Sequence, residues 1–231
     1  MKLKEHNSLC GRFTLFAKIN ELKAEFNLKD EGTFSSSYNI APSQSILIIS
    51  QDTETHDKHL HLAHWGLIPS WTKNPNEAPK PINARFETLK EKPYYKKAFQ
   101  KQRCLIPTSG FYEWTSSNGA KQPYFFYMKE YKPFALAGIY DYWLGGDETV
   151  EIVSAAIITT DANSLLKPYH ARMPVIIESH NYNHWLDPEN NNTEELMAML
   201  YPREYTELTC HAVSQYVNAP KNNDPNCIKF A

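Results

Sequence analysis

The sequence predicts an α+β fold, a single domain built on a largely antiparallel sheet. Three observations carry that reading. Short β-rich runs and short amphipathic stretches are interspersed without the regular βαβ rhythm of a doubly wound fold. No composition shift, low-complexity linker or internal repeat divides the 231 residues, a length that buries a substantial core. The 14 Tyr, 11 Phe and 5 Trp suit a sheet-rich interior, or a surface that stacks on flat ligands.

Taken in order, residues 17–28 place Ile19, Leu22 and Phe26 on one helical stripe, with Thr14 as the upstream cap. Residues 45–50 (SILIIS) read as a buried strand. Residues 58–64 alternate polar and apolar, so His59 and His61 share one strand face opposite leucines; that half-solvated strand is preferred to a metal site despite four nearby histidines. Trp65 to Trp71 turns the chain into a Pro- and Asn-rich loop. A helix is expected over 94–102 with a basic flank at Lys96, Lys97 and Lys101. Strands follow at 103–107, 111–115 and 124–128, the last two joined by a hairpin at Asn118-Gly119. Longer strands at 134–143 and 150–160 flank a Gly145-Gly146-Asp147 turn, and 173–177 is a further strand. Short helices are expected at 182–186 and 193–200, then a last strand at 208–213. His180 and His184 can face one way, but with no carboxylate evident nearby they read as a surface pair.

The 24 basic and 26 acidic side chains leave a net charge of -2. That argues against coating nucleic acid by bulk charge, though a cleft can still focus a local basic field. Cys10, Cys104, Cys210 and Cys227 form no C-x-x-C pair, against a zinc ribbon or thioredoxin-like site. Residues 1–9 lack the apolar region of a secretory signal, and no apolar run reaches membrane-spanning length. The expectation is reduced thiols in a cytoplasmic protein, nucleoid-associated if bacterial, with no membrane partner.

Four segments collect the polar chemistry. They are Cys10-Gly11-Arg12-Phe13-Thr14-Leu15, Asn83-Ala84-Arg85-Phe86-Glu87, Ser109-Gly110-Phe111-Tyr112-Glu113-Trp114 and His170-Ala171-Arg172-Met173-Pro174. A lone cysteine is ordinarily a small buried hydrophobe. Here three later segments offer it an amide, a carboxylate and an imidazole. Together with YNIAPSQ, WGLIPSW, FALAGIYDYW, IITTDAN and AVSQYVN, in this order and spacing, they make the chain resemble the SRAP family, the SOS response-associated peptidases.

The resemblance spans nearly the whole chain. It implies a bifurcated, barrel-like sheet flanked by helices, with the cysteine at the floor of a DNA-binding groove. It also implies covalent capture of abasic sites in single-stranded DNA by a monomer that needs no cofactor or metal. Cys10, made N-terminal, supplies an α-amine that forms a Schiff base with the opened sugar and a thiol that closes a thiazolidine. An α-amine has a pKa of roughly 7.7–8.0, so part of it is neutral near pH 7, and the thiol attacks intramolecularly. By resemblance, Asn83 orients the amine and sugar, Glu113 opens the deoxyribose and shuttles protons, and His170 is a general acid/base. Trp71 resembles the family's wedge aromatic, and Asn39 and Pro42 resemble groove-lining positions.

Arg12, Arg85 and Arg172 each lie two residues from Cys10, Asn83 or His170. In extended chain, residues i and i+2 share a face, so the three are expected to converge on phosphates.

One departure matters. Nine residues precede Cys10, so its nitrogen is an amide in the translated chain. The thiazolidine chemistry needs residues 1–9 removed as a leader, leaving 10–231 as the domain, or translation beginning at another initiating codon just before Cys10. Cys10 attacking the Leu9–Cys10 bond, with His170 or Glu113 as base, is one route. Two rivals remain: a thiol hydrolase using Cys10, His170 and Glu113, and a non-catalytic reader of modified or gapped DNA.

Overall fold

The computed structural model describes residues 10–29, 34–117, 120–145 and 151–231. The leader, the Asn118-Gly119 hairpin tip and Gly146-Asp147 of the expected turn lie outside the described residues.

The chain runs β1 (Phe13–Leu15), α1 (Ile19–Phe26), β2 (Ser37–Ile40), β3 (Ser45–Gln51), β4 (Lys58–Trp65) and β5 (Asn83–Arg85). It continues through a 3-10 turn, Phe86–Thr88, to α2 (Pro93–Lys101), β6 (Arg103–Thr108), β7 (Gly110–Ser117), β8 (Ala120–Met128), β9 (Phe134–Leu144) and β10 (Glu151–Asp161). Last come β11 (Arg172–Pro174), β12 (Ile176–Ile177), α3 (Tyr182–Leu186), α4 (Thr193–Ala198), β13 (Leu208–Ala212) and 3-10 turns at Gln215–Asn218 and Pro225–Ile228.

Two sheets result, in an α+β domain. One is antiparallel, in the order β13-β8-β7-β1-β2. In the other, β10, β4, β3, β6 and β9 pair in sequence and β9 pairs back onto β10, closing a five-stranded barrel. Closure removes the exposed edges that an open sheet would leave. The far end of β10 outlasts β9 and takes β5 on one side and β11 on the other. The sheets meet through a continuous apolar core, where the Phe13 ring stands edge-on to Trp65 at 5.1 Å. Fully buried side chains of this size contribute about 1.5–3 kcal/mol each.

Most expected elements are present within a residue or two; the differences have physical reasons. Thr14 does not cap α1: it is buried in β1, where its hydroxyl donates to Gly110 O at 3.1 Å. Glu21 takes the capping role by accepting from the Lys18 N–H, and left-handed Asn27 ends the helix. The single strand expected at 173–177 is divided, β11 pairing with β10 and β12 with β9. Val175 bridges the two, its N–H donating to Ile158 and its carbonyl accepting from Ala137. On β4 the leucines do not form the buried face: Leu62 is exposed, whereas Lys58 is buried with its ammonium donating to Phe26 O at the end of α1. His184 does have a carboxylate partner, Glu195 of α4 at 2.9 Å. No helix among the described residues is long and apolar enough to cross a membrane.

Candidate active site

Cys10 lies three residues before the first residue of β1 and is buried, with φ +34°, a left-handed backbone that a side chain adopts at a cost. Beside β1 runs β7, in register Phe13 with Phe111. That pairing brings Glu113 back to Cys10 across 103 residues of sequence. One carboxylate oxygen, Oε1, accepts from two atoms of Cys10: Sγ donates at 3.0 Å and N at 3.1 Å.

The electrostatics follow from burial. Glu113 is 2 % exposed, and desolvation lifts its carboxyl to about 7; the Cys10 hydrogen bonds and the nearby charge of His170 only partly oppose this. Burial also pushes the Cys10 thiol well above its usual value, helped by the adjacent Glu113 charge, while Arg172 pulls it back. Free thiolate is therefore disfavoured, and the sulfur needs a base in contact to become nucleophilic. Glu113 is the carboxyl in contact with the sulfur, and a group poised near neutrality is suited to exchange a proton with it.

The other wall comes from the barrel sheet, where β5 and β11 flank the free end of β10. Asn83 opens β5 half-buried, in register with Ile157. His170 precedes β11, and the Arg172 N–H donates to its Nδ1 at 3.1 Å. The Arg172 carbonyl oxygen lies at the same 3.1 Å from Nδ1, so the tautomer sets whether that nitrogen accepts or donates. Within this wall Arg172 ties β11 to β10 and to the turn after β5: its guanidinium pairs with both carboxylate oxygens of Glu87, with Asp161 at 2.8 Å and with Thr159 O at 2.7 Å. Glu87 was not singled out from sequence. The available signal was its place two residues beyond Arg85, but its partner lies 85 residues further on.

The three arginines do not converge as free cations. Arg12 donates to Asn39 Oδ1 at 2.8 Å and to the Val217 and Asn218 carbonyls, and Arg172 is committed to acids. The same-face rule needs extended chain, and Cys10 is left-handed while His170 sits before its strand begins. Only Arg85, on extended β5, is exposed with no ion pair among the described residues. Asn39 is 1 % exposed, its amide donating to the carbonyls of Val217, Ala219 and Asn222. Its hydrogen-bonding capacity is spent inside the protein. Pro42 and Trp71 are exposed, Trp71 edge-on to Tyr94 at 5.7 Å. Among the described residues, no group of three His, Cys, Asp or Glu side chains is arranged to hold a metal ion.

Known proteins can be compared with this geometry. The sequence model of the SRAP family, described as SOS response associated peptidase, matches residues 9–220. The chain is 40 % identical over 225 residues to the abasic site processing protein YoqW of Bacillus subtilis (strain 168), covering 96 % of this chain and 99 % of that one. It is 31 % identical over 227 residues to the abasic site processing protein HMCES of Xenopus tropicalis, covering 86 % and 67 %. Among solved structures, a crystal structure of a Bacteroides thetaiotaomicron protein superposes with a TM-score of 0.85 at 27 % identity, covering 96 % of this chain and all of the other.

Proposed function

The chain belongs to the SRAP family, and on that premise we propose that it captures abasic sites in single-stranded DNA, as a monomer, through Cys10 freed as an N-terminal residue. The observation that carries this reading is the single Glu113 oxygen hydrogen-bonded to both the sulfur and the nitrogen of Cys10. Both atoms must exchange protons in the chemistry, and one carboxyl near pKa 7 reaches both.

The first step is release of the leader. Glu113 takes the thiol proton, Sγ attacks the Leu9 carbonyl carbon, and the Leu9–Cys10 C–N bond breaks as Glu113 returns the proton to nitrogen. This leaves a thioester to the leader and a free α-amine. Water then hydrolyses the thioester, giving the leader carboxylate and restoring the thiol. The left-handed φ of Cys10 exists only while that peptide bond does, so its cleavage relieves a strain of about 1–3 kcal/mol.

In the second step the amine condenses with the C1′ aldehyde, expelling water to form an imine, and the thiol adds across the imine carbon to close a thiazolidine. Glu113 and His170 exchange protons with the sugar oxygens and the nitrogen, while Asn83 orients amine and sugar. Arg85, Pro42 and Trp71 meet the DNA directly. Arg172 meets it from within its acidic clamp, and Arg12 and Asn39 shape the groove from behind. Base stacking on an exposed ring such as Trp71 is worth about 1–3 kcal/mol without sequence preference.

The test is incubation of the purified protein with a single-stranded oligonucleotide bearing one abasic site. The expected product is a DNA adduct that survives denaturing electrophoresis and is absent with Cys10→Ala. An adduct that persists in Cys10→Ala would contradict the assignment. Turnover of a generic thioester or peptide without DNA would favour the thiol-hydrolase alternative.

A further inference from the structure

Arg85, already placed against the DNA, begins a run of cations whose lysines the reaction does not use. Arg85, Lys90, Lys92, Lys96, Lys97 and Lys101 are all exposed. The acids among them are Glu87, already paired with Arg172, and Glu91. This concentration stands out in a protein of net charge -2. It is also ordered: α2 turns Ala98 and Phe99 into the core, which leaves Lys96, Lys97 and Lys101 on its outer face. From Lys96 to Lys101 these charges span about 8 Å of rigid helix.

The patch is fastened to Trp71. Lys97 Nζ donates to Ser70 Oγ at 3.0 Å, and Tyr94 of α2 packs edge-on against the Trp71 ring, which is 56 % exposed. Among the described residues no ion pair neutralises Lys90, Lys92, Lys96 or Lys97. Unpaired cations beside an exposed aromatic are the chemistry of a phosphodiester track with a stacking platform.

We infer that the outer face of α2, continuous with Lys90 and Lys92, is a second binding surface that takes the phosphate backbone of the DNA strand running from the reactive cleft past Trp71. The inference rests on the DNA-capture reading and adds α2, which contributes none of the residues placed around Cys10. It makes affinity depend on strand length. A strand trimmed close to the lesion reaches the cleft and leaves α2 empty, while a longer strand engages both.

The test compares wild type with the triple variant Lys92→Gln/Lys96→Gln/Lys97→Gln, all at exposed positions. The probe is single-stranded DNA carrying a stable, non-reactive abasic analogue, either long or trimmed around the lesion, titrated at several salt concentrations. For the long strand the variant is expected to bind at least tenfold more weakly, with a log–log salt slope shallower by about 2, since each phosphate contact on single strands contributes about 0.7. For the trimmed strand the two proteins bind alike. Equal slopes on the long strand, or equal losses on both strands, would overturn the inference. So would charge-dependent binding of wild type to anionic phospholipid vesicles that the long strand fails to displace. A wild-type protein that binds neither strand would sink the DNA-capture reading itself, an outcome distinct from a lost length dependence.

Discussion

Glu113 sets one perturbed ionisation against both polar atoms of Cys10. Its folded carboxyl titrates at about 7, above the ordinary 4.5, because burial penalises the charge. On raising the pH the unfolded chain therefore ionises first. The Glu113 contribution to stability falls between about 4.5 and 7 and is flat outside that window, a loss on the order of 3 kcal/mol. Glu113→Gln should remove this fall, so urea midpoints of wild type and variant should diverge between pH 4 and pH 8, with the variant the more stable at pH 8. Midpoints that stay parallel would show that the carboxyl is not perturbed. Leader release should rise with pH through the same ionisation and slow by about 10²–10⁴-fold in Glu113→Gln, the usual loss on removing a general acid/base. Time-resolved mass spectrometry reads that rate, and an unchanged rate would move the base elsewhere.

At the scale of elements, the site depends on β1 and β7 staying in register. Gly110 permits it: a Cβ there would stand 2.5 Å from the Phe125 ring and from Phe126 O. Gly110→Ala should destabilise the fold by about 1–3 kcal/mol through overpacking, read as a lowered urea midpoint. Asn39 performs a second structural task, tying β2 to the C-terminal 3-10 turns through three carbonyls while receiving Arg12. Asn39→Ala should cost about 2–4 kcal/mol, because it leaves buried groups unpaired. If it instead weakened DNA binding without any shift in the unfolding midpoint, Asn39 would be a direct DNA contact.

The same scale separates what was legible in the sequence from what was not. Period-two and period-3.6 patterns are local, and the strand at Ser45–Gln51 and the helix at Tyr182–Leu186 were readable from their own residues. The division of 173–177 was not, because it depends on β9 and β10 competing for one short segment. The fate of Arg12 was equally hidden, since its carbonyl partners lie more than 200 residues away. Cys10, Asn83, Glu113 and His170 were named as a group through resemblance. Nothing in local spacing indicates that one Glu113 oxygen serves two atoms of Cys10.

For the whole molecule, a closed barrel abutting an open antiparallel sheet holds Cys10 at a junction. Cys10 and Glu113 come from the open sheet, and Asn83, His170 and the Arg172 clamp from the barrel sheet. Such a site is buried and acid-poised before any substrate arrives. The most direct measurement is the intact mass of the purified protein, before and after incubation with single-stranded DNA carrying one abasic site. The prediction is loss of residues 1–9, then a gain of one DNA strand less one water, with the added mass on Cys10 after digestion. A protein that keeps residues 1–9 and gains no mass, or gains it on a lysine, would contradict Cys10 as the freed N-terminal nucleophile.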